Sequence, residues 1–403
     1  MTTTRRVQLT FFLGLLAAIG PLSSDMFLPA LPEMEKQFGV DTSTVEMTLS
    51  VTMMGMGVGQ LLAGPISDRF GRRLPLIIGT ICFVLSTVGS MEALDITIFL
   101  ALRFLQGLSG AFGLVMSRAI ARDVSSGAEL TRFFSMLMLV GGLAPILAPV
   151  IGETLLVVMG WRKIFMVLLI VGLIILVSTI MFSETLPQSM RTTDLVASFK
   201  NFSVLLKDRY FFGHCLLQCA AMSAFFSYLT DSSFLFQDVY KIEPKQYTLM
   251  FSGLGTALVA AGAIPIALAG KVKEIKMLAW SLYQALLGSV AFAVCIFAGA
   301  PIELAFLSLL VMVPTLSVSS ATSLSLLMRF HGKEAGSASA ILGFARMFVA
   351  GLVSPLTGIA GNDTAVPLAV IIFVCQLLAV LFFVKMVLSF HRRGDRIIHG
   401  STS

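Results

Sequence analysis

The chain has 403 residues, of which 57% are hydrophobic and only 12% are charged. A soluble domain carries roughly 25% charged residues, so this composition excludes a soluble globular protein and indicates a chain embedded in a bilayer. The formal net charge of +6 does not indicate nucleic-acid binding, because the positive residues lie in short loops between apolar runs. We therefore expect a membrane protein that contacts lipid and binds no nucleic acid.

Twelve apolar runs approach the length of about 20 residues that a helix needs to cross a membrane. One long polar stretch divides them into two groups of six. We predict an all-α membrane protein with an N-terminal six-helix half at 1–183, a cytoplasmic linker at 184–210 and a C-terminal half with a short basic tail at 211–403. The predicted spans are 7–30, 44–65, 74–92, 96–120, 131–158, 161–183, 211–237, 245–269, 277–299, 301–328, 336–360 and 365–388.

Lys and Arg are distributed unequally between the two sets of loops. If the N-terminus lies inside the cell, the cytoplasmic segments hold 21 of the 28 Lys and Arg residues and the outer segments hold five. Arg118 and Arg122 are among those assigned to the cytoplasmic side, whereas Arg103 and Arg346 remain inside spans. Positive residues accumulate in cytoplasmic loops, so both termini are predicted to be cytoplasmic.

The two predicted halves repeat each other weakly. The segment Ser23–Leu28 near the outer end of span 1 corresponds to Leu229–Phe234 in span 7, and each contains one aspartate. Spans 5 and 11 are both interrupted by glycine and proline. Paired halves with interrupted helices are typical of secondary transporters, whose substrate site lies between the halves. The interrupting residues of span 5 are Gly141, Gly142, Pro145, Pro149 and Gly152.

The loop between spans 2 and 3 combines one acid with three arginines and two glycines. A tight bend at Gly71 would place Asp68 among the arginines at the membrane surface. A loop whose arginines only fix the topology would need neither Asp68 nor the glycines, so this alternative explains less of the sequence. The residues of this loop are Gly64, Asp68, Arg69, Gly71, Arg72 and Arg73.

This loop resembles the signature loop of the major facilitator superfamily, which has the pattern G-x-x-x-D-R-x-G-R-[RK]. Leu102–Gly107 in span 4 resembles the R-x-x-Q-G motif of the same superfamily, and Asp25–Pro32 is close to D-M-Y-L-P-A-L-P. Span 5 resembles the antiporter helix of drug exporters, with Ala144 in place of the first paired glycine. The chain thus resembles the Bcr/CflA family of proton-driven drug exporters, which implies the major facilitator fold and a gating role for the loop.

Asp25 and Arg103 are predicted to lie at the same depth in the membrane. If span 1 ends near Leu31, Asp25 lies about six residues, or roughly 9 Å, below the outer edge, and Arg103 lies roughly 10 Å below it. A charged acid at this depth is costly unless it is paired, so we expect an ion pair between them and a role for Asp25 as the proton carrier. In the alternative interpretation, Arg103 is a structural clamp on backbone carbonyls.

Three further polar residues in the spans are candidates for a second proton or substrate site: Asp231, Arg346 and Gln106. Asp231 could carry a proton, contact a cationic substrate or cap a helix near the outer surface. Arg346 is predicted to lie about ten residues into span 11, near the middle of the membrane. It could bind an anionic or hydrogen-bonding substrate, or it could pair with Asp231 or a helix end.

We therefore expect a monomeric proton-coupled antiporter, without metal or cofactor, that exports small amphipathic compounds such as bicyclomycin-like or chloramphenicol-like antibiotics across the bacterial inner membrane. The chain has no G-x-x-x-x-G-K-[ST] loop, so the expected energy source is the proton gradient and not ATP. A transporter of a metabolite such as a nucleoside or an amino acid would have the same fold. A membrane enzyme or sensor fits less well, because no H-E-x-x-H or G-x-S-x-G motif and no large soluble domain is present.

Overall fold

A computed structural model of the protein describes residues 3–191, 202–330, 335–361 and 364–390. Within these ranges the secondary structure is helical, without strands. Most of the predicted linker, at 192–201, and the basic tail, at 391–403, lie outside the described residues. The orientation used below is the predicted one, with both termini cytoplasmic.

Twelve long helices, numbered here α1 to α12, follow each other along the chain. In the described residues, eleven helical segments are long and apolar enough to cross a membrane, and α5 contributes a shorter apolar segment at Leu147–Met159. The prediction of an all-α membrane protein is therefore confirmed. The helices are α1 (Thr3–Asp25), α2 (Thr42–Phe70), α3 (Arg73–Glu92), α4 (Ile96–Val124), α5 (Gly127–Met159), α6 (Arg162–Met181), α7 (Arg209–Phe234), α8 (Pro244–Ala261), α9 (Glu274–Phe297), α10 (Ile302–Met312, continued by Thr315–Phe330), α11 (Ala335–Val353) and α12 (Val366–Phe382).

Helix α1 ends earlier along the chain than predicted. It ends at Asp25, and the chain continues through a 3₁₀ turn at Leu28–Ala30 into a short helix at Leu31–Phe38. Pro29 explains part of this break, because proline has no backbone N–H and disfavours helical geometry in the residue before it. The chain remains buried after the break. Asp25 is therefore the last residue of a helix that ends inside the protein.

The two ends of the helix bundle are packed differently. At the end opposite the Gly64–Arg73 loop, one apolar core includes residues from both halves, among them Leu49 of α2 and Tyr228 of α7. At the end with this loop, the buried apolar residues form two separate cores, one in α1–α6 and one in the second half. We call the first the outer end and the second the motif end. Among the described residues, the buried cores of the two halves thus merge at the outer end, and Leu61 of α2 also packs against the second-half core.

Candidate functional site

A cavity of about 440 Å³ lies between the two halves. Both halves contribute aromatic and apolar side chains to its wall, including Met53 of α2 and Phe226 of α7. Its charged lining residues are Asp25, Arg118 and Arg346. A concave, mostly apolar space with a few polar groups is typical of a small-molecule site.

The cavity continues toward the motif end. A second cavity of about 440 Å³ shares Arg118 and Phe134 with the first. Its wall includes Asp68 and Arg72 on one side and Gly336 at the beginning of α11 on the other. The halves are therefore separated by a cleft at the motif end. At the outer end the halves share an apolar core, which closes the cavity there. The central cavity is therefore accessible from the predicted cytoplasmic side.

The carboxyl group of Asp25 lines the central cavity but has no cationic partner. Its hydrogen-bond donor is the Ser24 hydroxyl, at 2.7 Å from Oδ1. The ion pairs among the described residues do not include Asp25 with Arg103, so the predicted pair is wrong for this conformation. Arg103 does reach the end of α1 that carries Asp25, but the two side chains have different partners.

Arg103 instead clamps the end of α1. Its guanidinium donates through Nη2 to the Ser23 carbonyl at 2.8 Å and through Nη1 to Gln106 Oε1. It also lies over the ring of Phe27, 4.3 Å from the ring centroid. Ser23 has one of the last carbonyls of α1, and a cation at a helix C-terminus satisfies such groups. The structure thus agrees with the alternative interpretation of Arg103 as a clamp on backbone carbonyls.

Gln106 supports Arg103 and does not line the central cavity. Its amide donates to the Thr87 hydroxyl at 2.7 Å while its oxygen accepts from Arg103. All three side chains are fully buried. The residues of α4 that match R-x-x-Q-G therefore form a fixed polar network with α1 and α3. The part of α1 in this network is the Ser23 carbonyl, close to Asp25 along the chain.

Asp231 lies at the outer end against Glu46 of α2. Both carboxyl groups are buried and lie close to each other, and two carboxylates in such a position are costly unless they share one proton. The Thr357 hydroxyl also lies 3.2 Å from Oε1 and 3.1 Å from Oε2 of Glu46. Asp231 is thus neither a cap at the outer surface nor a partner of Arg346, two of the alternatives considered for it.

Sequence reasoning missed Glu46. The predicted second span, 44–65, contains Glu46, but this acid near its beginning was not singled out. In the structure α2 begins at Thr42, which places Glu46 one turn inside the helix and fully buried. The sequence did contain a signal for this residue, namely an acid two residues after the start of a predicted span.

Further polar contacts at the outer end join α2 to the 3₁₀ turn Ser354–Ala360 that follows α11. The Ser50 and Ser354 hydroxyls are 2.8 Å apart, and the Ser43 hydroxyl donates to the Pro355 carbonyl at 2.9 Å. A Cβ at Gly358 would lie 2.6 Å from Glu46 Oε2, so only glycine allows this approach. The outer end is therefore closed by contacts between the halves that include the two neighbouring carboxyl groups of Glu46 and Asp231.

Arg72 makes several hydrogen bonds in the loop Gly64–Arg73, called the motif loop below. It donates to Asp68 at 2.6 Å and to the Ser67 hydroxyl at 2.8 Å through Nη1, and to Asp123 of α4 at 2.9 Å through Nε. These partners all belong to α2 and α4. In the part of the chain that the structure describes, the hydrogen bonds of Arg72 thus hold helices of the first half together.

Glu184, which follows α6, fixes the other side of this loop. It accepts the backbone N–H groups of Arg72 at 2.9 Å and Arg73 at 3.2 Å, at the N-terminus of α3. Burial raises the pKa of Glu184, but these and neighbouring backbone N–H donors outweigh it and hold the pKa below its usual range. Gly71 has φ +88°, and a Cβ there would overlap Glu184. Sequence reasoning identified Gly71 but not Glu184.

The other residues of the motif loop have smaller structural roles. Arg73 donates to the Ile180 carbonyl at 2.6 Å, whereas Arg69 is exposed and lies over the neighbouring Phe70 ring. Among the described residues, no atom lies within 4 Å of a Cβ built at Gly64, so close packing against them does not explain that glycine.

Helix α5 approaches the end of α1 closely. A Cβ at Gly152 would overlap the Met26 carbonyl, directly after Asp25. Gly141 lines the cavity and Pro149 is buried. The surroundings of Gly142 and the side chain of Pro145 lie outside what the structure describes. The glycine-rich helix thus contacts the segment that carries the buried acid.

Arg118 and Arg346 both line the central cavity. Arg118 was assigned to a cytoplasmic segment from the sequence, but it lies within α4 and is exposed to the cavity. Arg346 of α11 is partly exposed. The cavity wall therefore carries one arginine from each half.

Comparison with known proteins gives one family. The family model described as Major Facilitator Superfamily matches residues 13–355. The chain is 36% identical over 386 residues to YdgK of Bacillus subtilis, an uncharacterized MFS-type transporter, covering 95% of this chain and 96% of the relative.

Two more distant relatives carry resistance names. A bicyclomycin resistance protein homolog of Haemophilus influenzae is 29% identical, covering 92% of this chain and 94% of that protein. The multidrug resistance protein MdtL of Shigella dysenteriae is 26% identical, covering 91% and 92%. Among solved structures, a partially occluded inward-open conformation of the xylose transporter XylE from E. coli has a TM-score of 0.76 at 15% identity, covering 96% of this chain and 98% of that one, which shows the fold alone.

Proposed function

The chain belongs to the major facilitator superfamily, and we propose that it is a proton-coupled antiporter that exports small amphipathic compounds, such as antibiotics, from the cytoplasm of a bacterium. As a transporter it is not an enzyme. Two relatives of this chain over nearly their whole length are named for bicyclomycin or multidrug resistance. The protein acts as a monomer in the inner membrane and needs no metal or cofactor, only the proton gradient.

The observation that carries this proposal is the position of Asp25. It is a carboxyl group without a cationic partner, at the end of a helix, on the wall of a cavity lined by both halves. A buried, unpaired carboxylate is costly, so the group binds a proton when the cavity is dry and releases it when water or substrate enters. Asp25 is thus the group at which protons and substrate alternate.

The carboxyl pair of Glu46 and Asp231 gives the outer end a second protonation site. With one proton the pair holds α2 and α7 together. Without it, two negative charges would face each other in an apolar environment, which favours separation of the halves. Protons from outside therefore close the outer end, and the halves then open toward the cytoplasm, where substrate enters and Asp25 loses its proton.

The energy available for this exchange is sufficient. Each elementary charge that crosses the membrane is worth about 2.3 kcal/mol per 100 mV, before any pH difference is added. A proton moving inward could thus drive a neutral compound outward against a concentration ratio of about fiftyfold at 100 mV.

The test uses everted membrane vesicles from an efflux-deficient host that produces the full-length protein. A panel of antibiotics is first screened for reduced susceptibility to identify a transported compound. Adding this compound to energised vesicles should release protons from the lumen, and an uncoupler should abolish its uptake. Asp25→Asn should remove both signals while the protein remains inserted and folded.

Glu303→Gln is the matched control, because Glu303 is an exposed acid at the outer end of the second half. It should transport as the unmodified protein does. Transport that ignores the uncoupler, or normal proton-driven transport by the Asp25→Asn variant, would refute the proposal. Proton-driven accumulation in whole cells instead of in everted vesicles would identify an importer.

A further inference from the structure

Two arginines from opposite halves face the same cavity. Arg118 extends from α4 and Arg346 from α11, and both are accessible from the central space. Apolar groups form most of the remaining wall, including Phe225, Phe226 and Phe251. The cavity thus combines two permanent positive charges with a broad aromatic surface.

Neither guanidinium has a protein partner in the ranges that the structure describes. The hydrogen bonds and ion pairs of these ranges do not include Arg118 or Arg346, and the Nε of Arg346 is buried without an acceptor. A guanidinium has five N–H donors, and buried donors in proteins are nearly always satisfied. In contrast, the Nη groups of Arg103 and the Nη1 and Nε of Arg72 donate to protein groups, although the Nε of Arg103 also lacks an acceptor.

The two free guanidiniums also repel each other. Both positive charges lie on the wall of the same cavity, and among the described residues Asp25 is not paired with either of them. Repulsion between like charges is stronger in a cavity with low-dielectric walls than in water. An arrangement that leaves such a pair without an anion is costly for folding, and a bound anion would remove this cost.

We propose that Arg118 and Arg346 bind the anionic group of the transported compound, so that the preferred substrates are amphipathic organic anions with an aromatic or apolar body. A carboxylate or sulfonate accepts hydrogen bonds from both guanidiniums, and the apolar body lies against the phenylalanines. A cavity of about 440 Å³ is large enough for a drug-sized compound. This assignment rests on the proposed function only in naming the bound compound as the transported one.

Binding between the arginines also has a conformational consequence. Because one arginine belongs to each half, an anion that contacts both converts their repulsion into a shared attraction. A ligand favours the state to which it binds more tightly, so the anion favours the state in which the halves approach each other on the cytoplasmic side. Substrate binding thus promotes closure of the motif end.

The test compares two probes of equal size that differ in charge, naphthalene-2-carboxylate and naphthalene-2-carboxamide. Their affinities for the purified full-length protein in lipid nanodiscs are measured by calorimetry at neutral pH, with empty nanodiscs as the blank. We expect the carboxylate to bind at least about tenfold more tightly, because charge-assisted hydrogen bonds are stronger than neutral ones. Arg118→Gln and Arg346→Gln should each remove about tenfold of carboxylate affinity and leave carboxamide affinity unchanged.

Arg209→Gln is the matched control, because Arg209 is an exposed arginine at the beginning of α7 and lines neither cavity. It should leave both affinities unchanged. Equal affinities of the two probes, or equal losses for both probes in the Arg118 and Arg346 variants, would overturn the assignment.

Binding is measured without a proton gradient, so its result does not depend on proton-driven transport. Charge discrimination in nanodiscs together with carboxylate transport that ignores an uncoupler would support the anion site and refute proton exchange. Proton-driven transport of neutral compounds, with no discrimination between the probes, would support the proposed function and overturn the anion site.

Discussion

The outer end and the motif end hold the two halves in opposite ways. At the outer end the halves share one apolar core, and polar groups of α2 contact α7 and the turn after α11 directly. At the motif end each half has its own core, and the Arg72 network joins only helices of the first half. A cleft lies between the halves there.

This difference shows which contacts must break for the cavity to open on the other side. The outer contacts between the halves combine a shared apolar core with polar groups, and we propose that the contact between Glu46 and Asp231 depends on a proton. The motif network can stay intact while the halves move, because it lies within one half. We therefore expect substitutions at the outer end to change the balance between conformations, and substitutions at the motif end to change mainly the stability of the first half.

The largest effect is expected for Arg103→Ala, just below the outer end. The change leaves a cavity and removes the donors to Ser23 and Gln106, which should lower the free energy of unfolding by about 3–5 kcal/mol. Arg103→Lys keeps the charge but not the two-pronged geometry, so it should recover only part of the loss. Thermal unfolding in detergent measures both variants. Full stability of the lysine variant would show that the clamp needs only a charge.

At the outer contact itself, Glu46→Ala and Glu46→Gln should act in opposite directions. Alanine removes the acceptor for Thr357 and leaves Asp231 buried without a partner, which should weaken closure by about 2–4 kcal/mol. Glutamine can donate to Asp231 without an extra proton, so the outer end should stay closed even at high pH. Labelling of an outer-end cysteine by a membrane-impermeant maleimide reports opening. Equal labelling of the two variants would contradict the shared proton.

Gly71→Ala probes the motif end. Gly71 has φ +88° and ψ 173°, a region that is essentially restricted to glycine, and a Cβ would also overlap Glu184. The expected loss of stability is about 1–3 kcal/mol. Gly64→Ala, which adds a Cβ with no atom within 4 Å, is the matched control and should be nearly neutral. If the control loses as much stability as Gly71→Ala, backbone strain is not the cause.

Glu184→Gln should have the smallest effect, about 1 kcal/mol at neutral pH, because a carboxylate at a helix N-terminus contributes roughly this much. The folded-state pKa of Glu184 lies below its unfolded value of 4.5. Its stabilising contribution is therefore complete above pH 4.5 and is lost as the pH falls through the folded-state pKa. The difference in unfolding temperature between the two proteins should thus disappear under strongly acidic conditions. A difference that persists there would indicate a role independent of charge.

The helix pattern and the motif loop could be predicted because both depend on local sequence. Apolar runs of spanning length specify the helices, and the acid among arginines next to Gly71 marked the turn. The partners of the buried charges could not be predicted in this way. Counting residues places Asp25 and Arg103 at one depth but does not give their direction around the helix axis.

The same limit explains the missed residues. Glu46 and Arg118 lie near span ends, where a hydropathy pattern does not distinguish a loop from a helix that borders an internal cavity. Arg118 was assigned to the cytoplasmic side because it is positive, which is the usual signal for a loop. Its true position depends on a cleft between the halves, and a cleft arises from tertiary packing and not from any single segment.

The most direct test of the central claim is the distance between the halves at both ends as a function of pH. In a chain with the five native cysteines replaced, spin labels at Leu94→Cys and Lys245→Cys report on the outer end, and labels at Ser126→Cys and Lys271→Cys report on the motif end. All four positions are exposed. We predict that at low pH the outer distance is short and the motif distance is long, and that raising the pH reverses both. Distances that ignore pH, or that lengthen together at both ends, would contradict the account.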